Sequence, residues 1–261
     1  MGKLIVISSG KGGVGKTTTS VNLATALSKH GRNVILVDGN LTTPNVGLHL
    51  GLTKFPITLN DVLRGEATLK DAVYLHPLGF KLLPGSLSIR SFSEINSRKL
   101  KKLFDDLKDM CEYVIVDSAA GLGNESISVL KNADEIIIVT NPELPAVTDA
   151  FKIVTLAKEI GIPVKGTVLN KVRKDNFDLG FRAIEGLLEA PITAVIEDDK
   201  AMREALYKKK PIIHIKPKSK TSKQYHHLAR RVHTGQYQRR IDELERENGF
   251  LKSILRGFGF K

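Results

Sequence analysis

Short apolar runs alternate with longer stretches whose apolar residues recur every three or four positions. The runs are Leu4–Ile7, Val34–Val37, the segment Gly79–Gly85, Tyr113–Val116, Ile136–Val139, Val164–Leu169 and Ile192–Ile196. They are rich in β-branched residues, and most are apolar in succession, not every second position, which predicts strands buried on both faces. Between them, Val21, Leu23, Ala24 and Leu27 predict a helix over 17–29, ended by Gly31. Leu100, Leu103, Phe104 and Leu107 predict another over 98–108. Thr148, Ala150, Ile153, Leu156 and Ala157 predict a third, and Met202, Ala205 and Leu206 the buried side of a fourth. A short helix follows Thr58 or Asn60 as cap, and one more covers 225–232. Strand and helix in strict alternation predict an α/β fold: a doubly wound, mostly parallel sheet flanked by helices. The pattern changes near residue 235, which predicts a domain over 1–234 and a helical tail over 235–261.

The first strand runs into Gly10-Lys11-Gly12-Gly13-Val14-Gly15-Lys16-Thr17-Thr18. A Gly, four free residues and Gly-Lys-Thr, set between a strand and a helix, is the pattern of a phosphate loop. Glycines let the backbone approach a polyphosphate and turn its N–H groups inward, while the helix N-terminus adds partial positive charge. Lys16 would neutralise β- and γ-phosphates, and the Thr17 hydroxyl would ligate Mg²⁺. Lys11 is either a solvated loop charge or a second cation for the phosphates. Two later strands end in carboxylates, Asp38 and Asp117, at the strand ends where ligands of parallel sheets bind. An apolar strand ending in Asp about a hundred residues past the loop fits a Walker B strand, with Asp117 beside Thr17 and the metal.

Lys-Gly-Gly-Val-Gly-Lys-Thr-Thr at 11–18 resembles the deviant Walker A signature of the MinD/ParA family of dimerising ATPases, and the resemblance extends over about residues 3–232. It implies ATP or ADP with Mg²⁺ as cofactors and a homodimer in the ATP state. Lys11 would act across the dimer and Lys16 within the chain, with Thr17, Asp38 and Asp117 at the metal. The stretch 39–45 resembles the first switch segment, but Asn40 stands where the family has an acidic residue that helps place the attacking water. Asn hydrogen-bonds a water yet cannot serve as a base. Asp117-Ser118-Ala119-Ala120-Gly121 resembles the second switch, with Ala119 in place of Pro. The strand ending at Asn170 resembles the one whose Asn recognises adenine; a turn-forming strand-end Asn is the rival reading. Ile196, Glu197 and Asp198 resemble the loop that walls the adenine pocket, without its usual Pro.

Charge refines this picture at one end only. Residues 1–199 hold 23 Lys and Arg against 23 Asp and Glu; residues 200–261 hold 17 against 5, which is the whole net charge of +12. A basic C-terminal quarter suits an anionic partner. Phe250, Leu251, Ile254, Leu255 and Phe258 share one helical face opposite Lys252 and Arg256, suited to an anionic membrane surface. Two rival arrangements fit the same residues: a short coiled-coil seam through Ile241, Leu244, Asn248, Leu251, Leu255 and Phe258, or a helix docked on its own domain. The expected protein is thus a MinD-like ATPase that associates reversibly with membrane to position cell-division or polar machinery, together with a protein activator or recruited partner. A DNA-binding segregation ATPase and a non-hydrolysing adaptor are the alternatives. No run of 18 apolar residues exists, the first strand starts too early for a signal peptide, and the single cysteine, Cys111, excludes an internal disulfide and a Cys-x-x-Cys cluster site. The expected location is cytoplasmic, peripheral on the inner face of the cell membrane.

Overall fold

The computed structural model describes residues 1–87, 96–173 and 178–248. Its strands are β1 (Lys3–Ser8), β2 (Val34–Gly39), β3 (Tyr74–Leu75), β4 (Lys81–Leu83), β5 (Tyr113–Ser118), β6 (Glu135–Thr140), β7 (Val164–Val172) and β8 (Ile192–Glu197). Its helices are α1 (Lys16–Lys29), α2 (Val46–His49), α3 (Leu59–Arg64), α4 (Leu69–Ala72), α5 (Ser97–Met110), α6 (Asn124–Leu130), α7 (Leu144–Glu159), α8 (Phe181–Leu188), α9 (Lys200–Tyr207), α10 (Ile212–Ile215), α11 (Lys220–Thr234) and α12 (Ile241–Asn248). The strands form one sheet in the order β3-β4-β2-β5-β1-β6-β7-β8, parallel except for the β3–β4 pair. The chain starts in the middle, builds outward through β2, and later fills the other side through β6, β7 and β8. The reversal beside β1 is the switch point at which such sheets bind ligands.

Alternation along the strands accounts for their unbroken apolar character. Leu4, Val6, Ile35, Val37, Val114, Val116, Ile136 and Ile138 enter one core with α5, α7 and α8. Their neighbours Ile5, Ile7, Val34, Leu36, Ile115, Ile137 and Val139 enter a second core with α1, α10 and α11. Period-two geometry sends successive side chains to opposite faces, and both faces are covered by helices.

Helix α5 buries Leu100, Leu103, Phe104 and Leu107, the residues its spacing predicts. Thr58 and Asp61 form a capping box at the start of α3, and Gly31 follows α1 in the left-handed region at φ 77°. The last domain helix is longer than 225–232: Ser219 caps it, and it runs to Thr234. On α9 only Ala205 is buried; Leu206 is 42% exposed, against expectation. Helices α6 and α8 and the short strand β3 were not evident in the pattern.

The tail begins differently from the helical segment expected from residue 235 onward. Tyr237 lies outside any helix, buried in the second core, and its hydroxyl donates to Glu135 at the start of β6. The helix begins at Ile241, and Leu244 is buried in the first core beside α8. The segment therefore crosses from one helical layer to the other. The apolar face Phe250–Phe258 lies outside the described residues, and no described helix is long and apolar enough to cross a membrane.

Candidate nucleotide site

A cleft of about 930 Å³ opens at the C-terminal ends of the strands. Lys11, Gly12, Gly13, Gly15, Lys16, Thr17 and Thr18 line it from the loop between β1 and α1. Asn40 enters from the end of β2, Asn170 from β7, and Glu197 and Asp198 from β8. Of the other residues expected here, Gly10, Val14, Asp38, Asp117 and Ile196 do not line it, the two carboxylates lying beneath the loop and beside it. Gly10 lies against the backbone of Asp149 and Ala150, where a Cβ would sit 2.1 Å from the Asp149 carbonyl. Val14 and Ile196 point their side chains into the second core.

The loop is held from beneath by Asp117. Its carboxylate accepts from Thr17 Oγ1 at 2.6 Å, Ser20 Oγ at 3.1 Å and Lys16 Nζ at 3.3 Å. The Lys16–Asp117 ion pair is buried, and its extra hydrogen bonds offset part of the desolvation cost. Asp38 stands in register with Asp117 on the adjacent strand. Its Oδ2 accepts from the Val46 N–H at 2.9 Å, while its buried Oδ1 has no hydrogen-bond partner of normal geometry among the described residues. Burial, and then the facing Asp117, push its carboxyl up to about 8. The neutral form is thus favoured at pH 7, and an arriving cation would favour the ionised one. A hydroxyl, a carboxylate and a buried carboxyl oxygen form a hard-oxygen set that fits Mg²⁺ beside a polyphosphate.

Asn40 shapes its loop: Oδ1 accepts from the N–H and the hydroxyl of Thr43, at 3.2 and 3.1 Å. The neighbouring residues are gripped by Glu125 in the first turn of α6. Its carboxylate accepts from the Leu41 N–H, the Thr42 N–H at 3.2 Å and Thr42 Oγ1 at 2.6 Å. Glu125 thereby ties the first switch-like segment to the helix that follows the second, a role the sequence did not reveal. An acidic residue in the first turn after the Asp117–Gly121 segment was the available signal. Asn170 donates to the Val14 carbonyl at 2.7 Å, so its amide N–H₂ is already engaged with the loop. Gly15 sits at φ 98°, and a Cβ there would lie 2.0 Å from Asn170 Nδ2. Glu197 pairs with Lys220 and Asp198 with Arg173 at 3.5 Å, while Met202, Arg203 and Leu206 of α9 complete that wall. Lys11 is exposed at the mouth, with no ion pair among the described residues.

A glycine loop wrapped between the central strand and a helix, a buried Lys–Asp pair under it and a hydroxyl at its end define a P-loop nucleoside-triphosphate protein. The family profile described as ParA, NUBPL iron-transfer P-loop NTPase, matches residues 1–233. An uncharacterized ATP-binding protein of Methanocaldococcus jannaschii is 35% identical over 97% of this chain and 95% of its own. Among solved structures, the cell division ATPase MinD of Pyrococcus furiosus is 38% identical, with a TM-score of 0.85 over 90% of this chain and 99% of that one. The septum site-determining protein MinD of Pyrococcus horikoshii, complexed with Mg-ADP, is 36% identical, with a TM-score of 0.84 over 89% and 96%. The chain belongs to the MinD/ParA family of P-loop NTPases.

Proposed function

We propose that the protein hydrolyses ATP as a MinD-like positioning ATPase that dimerises around nucleotide and attaches reversibly to an anionic membrane surface, on the inner face of the cell membrane. The observation that carries this reading is the pair of lysines on one loop. Lys16 is buried against Asp117, whereas Lys11 stands exposed at the mouth of the cleft, with no ion pair among the described residues. A cation free at the rim is suited to a polyphosphate presented by a second copy of the chain. Water attacks the γ-phosphorus as the bond to the β–γ bridging oxygen breaks, giving ADP and phosphate. Lys16 and the partner copy's equivalent of Lys11 offset the charge that develops. Thr17, Asp117 and Asp38 would hold Mg²⁺, which supplies charge neutralisation at the phosphates. Asn170, Glu197 and Asp198 are the residues proposed for the base side of the cleft. Asn40 orients water without accepting its proton, so turnover is slow. The chain offers no thiol pair for holding iron: Cys111 is its only cysteine, and it is buried.

Residues 235–261 form the proposed attachment tail. One amphipathic helix binds a membrane marginally, and two held together by the dimer bind far better through effective concentration. The test has two arms. Lys11→Ala should bind ATP yet stay monomeric by light scattering, and a persisting ATP-dependent dimer would refute the role across the interface. Liposome co-sedimentation should show ATP-dependent pelleting that a chain ending at Asn248 loses. Pelleting independent of both nucleotide and tail would discard the membrane switch.

A further inference from the structure

Strand β7 ends irregularly. Consecutive strand residues point to opposite faces, so Asn170 and Lys171 belong on opposite sides of the sheet. Both instead reach the phosphate loop. Asn170 Nδ2 donates to the Val14 carbonyl at 2.7 Å, and Lys171 Nζ donates to the Gly13 carbonyl at 2.8 Å. Two backbone features bring this about. The pairing of β7 with β8 slips between Leu169 and Val172, and Lys171 itself lies in the left-handed region at φ 57°. Among the described residues, the other non-glycine residues with positive φ are Glu189 and Lys209. Those two follow the C-terminal ends of α8 and α9, where a left-handed residue commonly ends a helix. Lys171 ends no helix. A bulge next to a site re-aims a side chain, and backbone strain persists where the surroundings require it.

We infer that the bulge at 170–171 is a clamp that presets the phosphate loop, with Lys171 as a positioning residue for nucleotide binding. In a trans peptide the C=O and the next N–H point in opposite directions. Holding the Gly13 and Val14 carbonyls toward β7 therefore turns the Val14 and Gly15 N–H groups away from it. Two donors are fixed before any phosphate arrives, and the cost of ordering glycine backbone falls on folding, not on binding. Lys171 also lines the cleft, alongside Lys11, Lys16 and Arg203. The clamp acts on the loop that cradles the diphosphate, so it serves ADP and ATP alike.

The inference rests on the nucleotide-binding reading, and the experiment separates the two. Full-length protein is titrated with ADP and with ATP by calorimetry, beside Lys16→Ala, Lys171→Gly and Lys171→Asn. Glycine suits the left-handed backbone and asparagine tolerates it, yet neither reaches the Gly13 carbonyl. Both variants should keep or raise the melting temperature while Kd for ADP and for ATP rises by the same factor, about tenfold. A merely structural Lys171 gives the opposite result, unchanged affinity with improved stability, and that overturns the clamp. A loss confined to ATP overturns it too, because it points to direct γ-phosphate contact. If the unmodified chain binds neither nucleotide, or Lys16→Ala binds as well as it does, the nucleotide reading fails and the clamp falls with it.

Discussion

Replacing Leu244 with Ala should release α12 without unfolding the sheet. An eight-residue helix has no stability of its own, so α12 exists because it docks. Its grip is small. Leu244 is fully buried, Ile241 packs partly against the same core, and Arg182 of α8 pairs with Asp242 at 2.7 Å and with Glu245 at 3.9 Å. Arg182 and Asp242 are largely exposed, so that pairing contributes only ~0–1 kcal/mol. Burial of Leu244 contributes ~1.5–3 kcal/mol, most of which Ala forfeits. A loss of about 2 kcal/mol is roughly a 30-fold rise in the detached population. Hydrogen exchange should therefore show α12 amides losing protection by about that factor, while amides of β1 and β5 are unchanged. The melting temperature should move by less than about 2 °C, because the same loss felt by the whole domain would lower it by roughly 4–8 °C. Unchanged α12 protection would refute Leu244 as the anchor. A fall of the larger size would show that α12 belongs to the cooperative core.

Lys16→Ala should abolish measurable ADP binding by calorimetry, since it removes the buried cation under the loop. It also strands Asp117, so the protein should melt lower. Asn40→Asp should raise ATP turnover, measured as phosphate release, and unchanged turnover would leave Asn40 a loop-shaping residue only. An aspartate oxygen can still accept from Thr43, so this variant should keep its loop. Acidification should weaken the joint between α1 and α11, where His226 Nδ1 and His30 Nε2 lie 3.0 Å apart and the rings stack. Partial burial and then neighbouring charge, Arg230 for His30 and His30 for His226, hold both imidazoles below their usual 6.5. The unfolded chain takes up these protons first, so the stabilisation is whole above pH 6.5 and lost as pH falls below it. Urea midpoints between pH 7.5 and 5 should fall less steeply in His226→Gln, and an identical slope would refute the assignment.

The central strands were legible because they are buried on both faces, and a run such as Val34–Val37 needs no partner to be read, whereas the exposed β3 gave no such run. The phosphate loop was legible because its donors are contiguous. What stayed hidden depends on distant residues. Glu125 gained its role only when folding brought the start of α6 over residues 41–42. The left-handed turn at Lys171 has no local signature, since lysine is not a residue that favours it. Tyr237 looked like part of a polar helical tail because Gln236, Gln238, Arg239 and Arg240 surround it; its burial follows from the space over Gly166, which lacks a side chain, and from the Glu135 carboxylate that accepts its hydroxyl. Asn170 was singled out as a base contact from its strand-end position; that one of its amide N–H groups also donates to the Val14 carbonyl became visible only in the fold.

The placement of β1 at the middle of the sheet has a consequence during synthesis. The phosphate loop is among the first segments made, yet its supports arrive in widely separated instalments: Asp117 first, then Asn170 and Lys171, then Glu197 and Asp198. At ~5–20 residues per second, the span from Thr17 to Asp198 takes roughly 10–35 s to translate. Until Asp117 is made the glycine loop lacks its carboxylate floor, and until Asn170 and Lys171 are made it lacks its clamp. Nucleotide capture thus marks the end of folding and cannot guide its early steps, and a chain halted before β7 would hold the signature loop without a site.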